Sequence, residues 1–250
     1  MVRLPSFRHR APPSTLPEKM DGEPDLEVYR ACLKHLAGVN VASFGYRPTV
    51  RFVEKVAAGH GSTAPLNVLD VGSGYGDALR VIMKRLTKRG MRAALTGADL
   101  NPHAALIAQE AGKGEALDEN APVSVRYVTA DARALATGAD RPDLIISSLF
   151  THHLEDDEVE AFVRWMDQTT RIGWFINDLY RSRFAATGFY ALTVLTQRHP
   201  YVRHDGPVSF ARAFRRADWQ ARLAAAGVDG ARIFMGAPFR LCVEKVHEPG

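Results

Sequence analysis

The segment Asn67-Val-Leu-Asp-Val-Gly-Ser-Gly-Tyr-Gly-Asp77 constrains the fold more than any other part of the chain. A short apolar run ends in glycines at 72, 74 and 76 and passes into an amphipathic stretch, so a strand must turn sharply into a helix. Glycine permits that turn and lets backbone N–H groups approach a ligand at the helix N-terminus. A dinucleotide fingerprint, G-x-G-x-x-G, would need its third glycine at 77, where Asp77 stands. A nicotinamide cofactor is thereby disfavoured.

From Leu66 onward, short apolar runs alternate with amphipathic ones. Strands are predicted at 66–71, 93–100, 125–129, 144–149 and 174–177, with helices at 78–89, 102–111, from 156 and at 218–226. Such alternation is the pattern of βαβ units in a parallel sheet. Residues 231–246 read as two β runs broken at Gly236 to Pro238, a closing hairpin. The expected fold is α/β: a doubly wound, mostly parallel seven-stranded sheet of Rossmann-like type, with an antiparallel C-terminal hairpin and a helical cap. Residues 18–60 form the cap, where Leu26, Tyr29, Leu33 and Leu36, then Val50 and Val53, recur at helical spacing. Residues 61–250 form the main domain, with a helical lid insertion at about 180–216. Within that insertion His199-Pro200 and Asp205-Gly206-Pro207 are loop signals. Residues 1–17, Pro-rich with Arg3, Arg8 and Arg10, read as a flexible basic tail.

Composition narrows the function classes. The formal charge of +4 comes from the tail and from scattered arginines, a weak basis for a nucleic-acid partner. No apolar run approaches the roughly 20 residues that span a bilayer, and the start lacks the apolar core of a secretory signal. Two cysteines, Cys32 and Cys242, fall in segments read as a helix and a strand, which suits buried thiols in a reducing, cytoplasmic compartment.

Further residues agree with the glycine turn. Asp99 ends the second strand about twenty residues beyond it, where an acid commonly accepts hydrogen bonds from a ribose diol. The plainer role is a helix cap before Pro102. Asp131 ends the third strand at the same sheet edge, placed to accept a bond from an adenine amino group or to stand as a solvated loop acid. Together these residues resemble the class I S-adenosylmethionine-dependent methyltransferases over about residues 66–180 and the terminal hairpin. That resemblance implies S-adenosyl-L-methionine as cofactor. Its methionine end would lie on Asp70 and the turn of Gly72, Ser73, Gly74 and Gly76, its ribose on Asp99, and its adenine beside Leu100, Asp131 and Ala132. Arg47 in the cap becomes a candidate partner for the cofactor carboxylate, or else a solvated helix residue. Ser148, at the end of the fourth strand, completes the cofactor set.

The fourth strand ends in Ser147-Ser-Leu-Phe-Thr-His-His-Leu154, where relatives that methylate nucleic-acid amines carry Asn/Asp-Pro-Pro-aromatic. Asn177-Asp-Leu-Tyr180 lacks both prolines of that motif and follows strand five, so base methylation is disfavoured. His152 and His153 suit a hydroxyl nucleophile, because imidazole titrates near neutrality and can take its proton. Alternatively one of them only orders the loop. His153 is the expected base, since His-Leu after this strand resembles small-molecule members of the family. Adjacent histidines without a further Cys or His cluster do not suggest zinc, and no G-x-S-x-G elbow suggests a hydrolase.

Residues 18–60 and the stretch from Asn177 to Pro207 further resemble bacterial methyltransferases linked to polyketide or phenolic-lipid biosynthesis. An aromatic or polyketide-like small-molecule acceptor, methylated on a hydroxyl, is what that narrower likeness implies. The insertion would line its pocket with Phe184, Phe189, Tyr190, Leu192, Val194, Leu195, Tyr201 and Phe210, or these would be ordinary helix packing. Arg181, Arg183, Arg203, His204 and Asp205 are candidate polar groups there. Carbon or nitrogen methylation on the same fold, and a noncatalytic cofactor-binding assembly protein, remain alternatives.

Overall fold

The computed structural model describes residues 6–22, 24–61, 64–113, 121–138 and 141–248. Arg3 lies outside them. Seven strands form one sheet in the order β3-β2-β1-β4-β5-β7-β6. The strands are β1 Leu66–Val71, β2 Ala93–Asp99, β3 Val123–Thr129, β4 Leu144–Ser148, β5 Gly173–Leu179, β6 Arg232–Ala237 and β7 Arg240–Val246. The first five pair in parallel, and β7 runs antiparallel against β5 and β6. The expected doubly wound sheet and closing hairpin are both present.

Among the described residues, eight α-helices accompany the strands: α1 Leu26–Ala42, α2 Arg47–Gly59, α3 Asp77–Lys88, α4 Pro102–Ala111, α5 Asp156–Thr169, α6 Arg183–Leu195, α7 Pro200–Arg212 and α8 Arg216–Ala226. Because side chains alternate across a strand, Val68 and Ile146 face one layer and Leu69 and Ile145 the other. The first layer packs on Val53 of α2 and Leu79, Ile82 and Leu86 of α3. The second packs on Val163 and Met166 of α5 and Trp219 of α8. Leu79 is fully buried, so truncating it to alanine would cost roughly 2–5 kcal/mol. With both faces covered, ligands must enter at the carboxyl edge. The neighbours of β1 are β2 on one side and β4 on the other, which makes the edge at β1 and β4 the topological switch point.

Two expectations about connecting segments are corrected. Residues 6–17 are not a loose tail. Phe7 is buried against Ala185, Ala186, Phe210 and Ala211, and the Ala11 N–H donates to the Ala211 carbonyl at 3.1 Å. Arg10 donates to the carbonyls of Arg212 and Leu154 and pairs with Asp156 at 2.7 Å. Arg10 is thus a structural tie, which its tail-like composition concealed.

Nor is Asp205-Gly206-Pro207 a loop, because all three lie inside α7. Pro200 starts that helix, where proline lacks nothing the helix needs. The buried Asp205 carboxylate accepts the backbone N–H groups of Lys19 and Met20 at 2.9 and 3.1 Å. A Cβ on Gly206 would collide with the Phe189 ring, so glycine there lets α6 and α7 pack closely. Tertiary contacts override the local loop signals. The insertion is therefore a helical pair laid over the switch point, and α1 and α2 precede the sheet as predicted.

Candidate active site

The turn after β1 shows why glycine recurs. Gly72, Gly74 and Gly76 all have left-handed backbone, at φ 72°, 48° and 68°. A Cβ on Gly72 would sit 2.7 Å from the Phe150 ring, and one on Gly76 would collide with Tyr127. The Tyr127 hydroxyl donates to the Gly76 carbonyl at 2.9 Å, locking the turn from β3. Asp99 Oδ2 accepts the Gly74 N–H at 3.0 Å, and its other oxygen accepts the Asn101 N–H at 2.9 Å. A carboxylate has about four acceptor sites, so Asp99 retains capacity for a diol. The helix-cap role belongs to Asn101, whose side chain accepts from the His103 N–H.

Most of the predicted cofactor residues line one cavity of about 1150 Å³. Asp70, Gly72, Ser73 and Gly74 form its floor at the sheet edge, with Asp99, Leu100, Asp131 and Ala132 from the next two strand ends and Ser148 from β4. Gly76 acts one step back, by shaping the turn. Asp70 is held well above the usual carboxylate range by burial and by the nearby charges of Asp77 and Asp99. Burial likewise raises Asp99, against the bonds from Asn101 and Gly74. Such a site favours a cationic ligand, because a positive charge relieves buried carboxylates.

Arg47 is not part of this cavity. It is exposed at the start of α2, with its guanidinium 4.1 Å above the Phe44 ring. The buried cation in the cavity wall is Arg240, from the start of β7. Its Nη2 donates to Asn40 Oδ1 at 2.5 Å, and beside it the Tyr46 hydroxyl donates to Asp77. Sequence reasoning missed Arg240 because it comes from the far end of the chain, and only the β5–β7 pairing brings it to the site.

Both histidines also line the cavity, in a single 3-10 turn, Thr151–His153, after β4. Their environments differ. His152 is buried, with Nδ1 2.7 Å from Asp178 Oδ1 and its backbone N–H donating to Asp178 Oδ2 at 3.0 Å. Thr151 donates to that same oxygen at 2.6 Å. Burial alone would raise the Asp178 carboxyl, but His152 and these bonds hold it well below the usual range. Asp178 is therefore ionised and keeps the His152 proton on Nδ1, which leaves Nε2 as acceptor. Burial lowers His152 despite Asp178, so it is neutral at pH 7. His153 is partly exposed and its Nδ1 lies 2.9 Å from Asp21 Oδ1. Burial opposes protonation there, but Glu18 and Asp21 outweigh it and raise His153 above its ordinary value.

A buried ionic network surrounds this pair. The fully buried Arg212 donates from Nη1 to Asp21 at 2.6 Å and from Nε to the His152 carbonyl at 3.0 Å. Glu18 accepts from Ser209 at 2.7 Å and lies 3.7 Å from His152 Nε2. Glu18, His152 and His153 are close enough to share a metal ion, but the Arg212 guanidinium, 3.5 Å from the Glu18 carboxylate, already supplies the positive charge. Glu18, Asp21, Asp178 and Arg212 were not foreseen. Asp178 stood in view within Asn177-Asp-Leu-Tyr180, yet its partner depends on β5 pairing with β4, which sets Asn177 opposite Ser148. Asn177 itself donates to the Gly45 carbonyl and to Thr49, tying the cap to the sheet.

Of the insertion residues, Phe184, Phe189, Leu192 and Phe210 line the cavity; Tyr190, Val194, Leu195 and Tyr201 do not. Arg181 pairs with Asp218 at 2.8 Å, and His204 with Asp205 at 2.7 Å. Arg183 and Arg203 stay outside the cavity wall, so Asp205 alone of the expected polar groups lines it. The cavity thus has an acidic, glycine-floored end and an apolar end.

Residues 68–173, which contain the turn, Asp99, Asp131 and both histidines, match the family described as methyltransferase domain. The matched stretch is a methyltransferase domain. Such domains draw the methyl group from S-adenosylmethionine, which is accordingly the cofactor here. The magnesium protoporphyrin IX methyltransferase ChlM from Synechocystis PCC 6803, solved with bound SAM, shares the fold at TM-score 0.53 and 17% identity, covering 82% of this chain and 81% of that one. The plantazolicin methyltransferase BpumL, in complex with a triazolic desmethylPZN analog and SAH, is similar at TM-score 0.60 and 14% identity over 90% and 98%. A putative O-methyltransferase from Nostoc punctiforme PCC 73102 reaches TM-score 0.59 at 14% identity over 90% and 62%. No curated protein matches the chain at a significant level. The residues present fit the cofactor: a floor that only glycine can form, buried carboxylates facing a cation, and Asp99 with acceptor sites to spare.

Proposed function

We propose that this methyltransferase acts on a hydroxyl oxygen of a small apolar, aromatic acceptor, of the kind formed in natural-product assembly, with His152 as the general base. The observation that carries this reading is the Asp178–His152 pair at the cavity wall. It replaces His153 as the favoured base, because a base must be neutral before it acts and Glu18 and Asp21 shift His153 toward its charged form, above its ordinary value.

The cofactor would be held at its methionine end by Asp70, the Gly72–Gly74 backbone and Arg240, at its ribose by Asp99, and at its adenine by Leu100, Asp131 and Ala132. Bound S-adenosylmethionine supplies an electrophilic methyl carbon on a positively charged sulfur. Phe184, Phe189, Leu192 and Phe210 receive the acceptor and exclude water, which strengthens the electrostatics of the site. His152 Nε2 takes the hydroxyl proton while Asp178 holds the ring. Glu18, 3.7 Å from Nε2, then stabilises the imidazolium. An amine or an electron-rich carbon would not require this base. The O-methyltransferase and plantazolicin methyltransferase among the neighbours agree with a small-molecule acceptor.

A series of phenols of graded acidity tests the assignment. The wild-type rate should vary weakly with phenol acidity, because the base supplies the phenolate. His152→Ala should become steeply dependent on acidity and recover partly at high pH, since phenols titrate near 10. The same slope in both proteins contradicts the role of His152.

A further inference from the structure

Several of the large apolar side chains that this protein leaves in water stand on the elements around the cavity mouth. Phe184 and Leu195, 79% and 81% exposed, stand on α6, with Val41 and Phe44 at the end of α1 and Phe239 before β7. Contacts place them on one rim. The Phe184 and Phe239 rings lie 6.2 Å apart. Arg240, next to Phe239, bonds Asn40 of α1 and packs beside Gly45, while Arg198 just beyond α6 packs beside Gly38. The two helices and the hairpin turn therefore frame a single opening.

The α1 and α6 side of the opening also carries an excess of positive charge. Apart from Glu27 in the first turn of α1, residues 26–53 and 179–204 include no Asp or Glu but include Lys34, Arg47, Arg51, Arg183, Arg198 and Arg203, whereas the acids Asp157 and Glu158 line the cavity from α5. Arg47 lies over the exposed Phe44 ring, so apolar face and charge are presented together. Aromatic and leucine prongs ringed by arginine are the composition that seats a protein at an anionic membrane surface, apolar groups among the acyl chains and cations at the headgroups. We propose that this rim docks on an anionic lipid bilayer, from which the apolar acceptor passes directly into the cavity. The acceptor half of that statement rests on the function proposed above. A bilayer is favoured over an acidic protein because the prongs come from three elements around an opening. A fluid surface conforms to separate prongs, whereas a folded partner would need a matching recess for each.

Co-sedimentation of the full chain with vesicles tests this. Phosphatidylglycerol vesicles should pellet the protein and phosphatidylcholine vesicles should not, with binding weakened by salt. Phe44→Asp with Leu195→Asp, and separately Arg183→Gln with Arg198→Gln, should each reduce partitioning by roughly tenfold or more. None of these four residues lines the cavity, so S-adenosylhomocysteine affinity should stay constant and report an intact fold. No pelleting on phosphatidylglycerol, undiminished pelleting of either variant, or capture by an acidic carrier protein without vesicle binding overturns the proposal. Methylation of a detergent-dispersed phenol without vesicle binding overturns the docking alone. Vesicle binding with methylation of nitrogen or carbon overturns only the acceptor reading.

Discussion

Asp178→Asn probes the base without changing the shape of the site. The Asp178 carboxylate accepts four bonds: from Thr151 at 2.6 Å, the His152 N–H at 3.0 Å, His152 Nδ1 at 2.7 Å and the Leu179 N–H at 2.7 Å. In the asparagine variant the amide oxygen can keep the first two, which share Oδ2. The amide NH2 then faces the Leu179 N–H, donor against donor, and His152 Nδ1. The imidazole can satisfy that NH2 only by moving its proton to Nε2, the nitrogen that must accept the substrate proton. Turnover should therefore fall by about 10²–10⁴-fold, the usual contribution of a positioned base. The unsatisfied Leu179 N–H should cost about 1–3 kcal/mol of stability, lowering the melting temperature by roughly 2–4 °C per kcal/mol for a chain of this size. Initial rates with labelled cofactor measure the first effect, and calorimetry of S-adenosylhomocysteine should show unchanged affinity. Turnover within a few-fold of wild type, with only the melting temperature lowered, would refute the assignment and reduce Asp178 to a structural acid.

Asp99→Ala should weaken S-adenosylhomocysteine by about 1.5–3 kcal/mol in calorimetry, the loss expected of charge-assisted bonds to a ribose; unchanged affinity removes the ribose from Asp99. Phe189→Ala should raise the acceptor KM and leave cofactor affinity alone, whereas Tyr190→Ala, outside the cavity, should change neither. His153 titrates above its ordinary value in the folded protein, so the stabilisation it gains from Glu18 and Asp21 is full below about pH 6.5 and fades as pH rises through the folded value. Denaturant unfolding of His153→Gln should accordingly show its largest deficit at acidic pH, and a deficit independent of pH would deny the ionic network its role.

The parts of this protein that were legible in its sequence are those encoded locally. The Gly72-Ser73-Gly74-Tyr75-Gly76 turn, the alternation of strands and helices, and the acids at the ends of β2 and β3 each follow from a few neighbouring residues, and the structure assembles them at one edge. What escaped depends on contacts across the chain. Arg10 and Phe7 look like tail residues until α6 and α7 provide a surface for them. Asp205-Gly206-Pro207 has the composition of a turn, yet it is helical because Asp205 is needed by Lys19 and Met20 and Gly206 by Phe189. Arg47 and Arg240 are indistinguishable as types, and only the fold tells which one faces the cavity. The two histidines were found together, but their unlike roles follow from Asp178 and Asp21, which lie 26 and 132 residues from them.

Which atom receives the methyl group decides most. The full chain, incubated with carbon-13-methyl S-adenosylmethionine and an equimolar mixture of an apolar phenol and the corresponding aromatic amine, gives products that NMR resolves by the atom bearing the label. The expected result is label on the phenol oxygen, abolished by His152→Ala at neutral pH. Label on nitrogen or on a ring carbon, undiminished by that substitution, would contradict an oxygen-directed transfer through the Asp178–His152 pair.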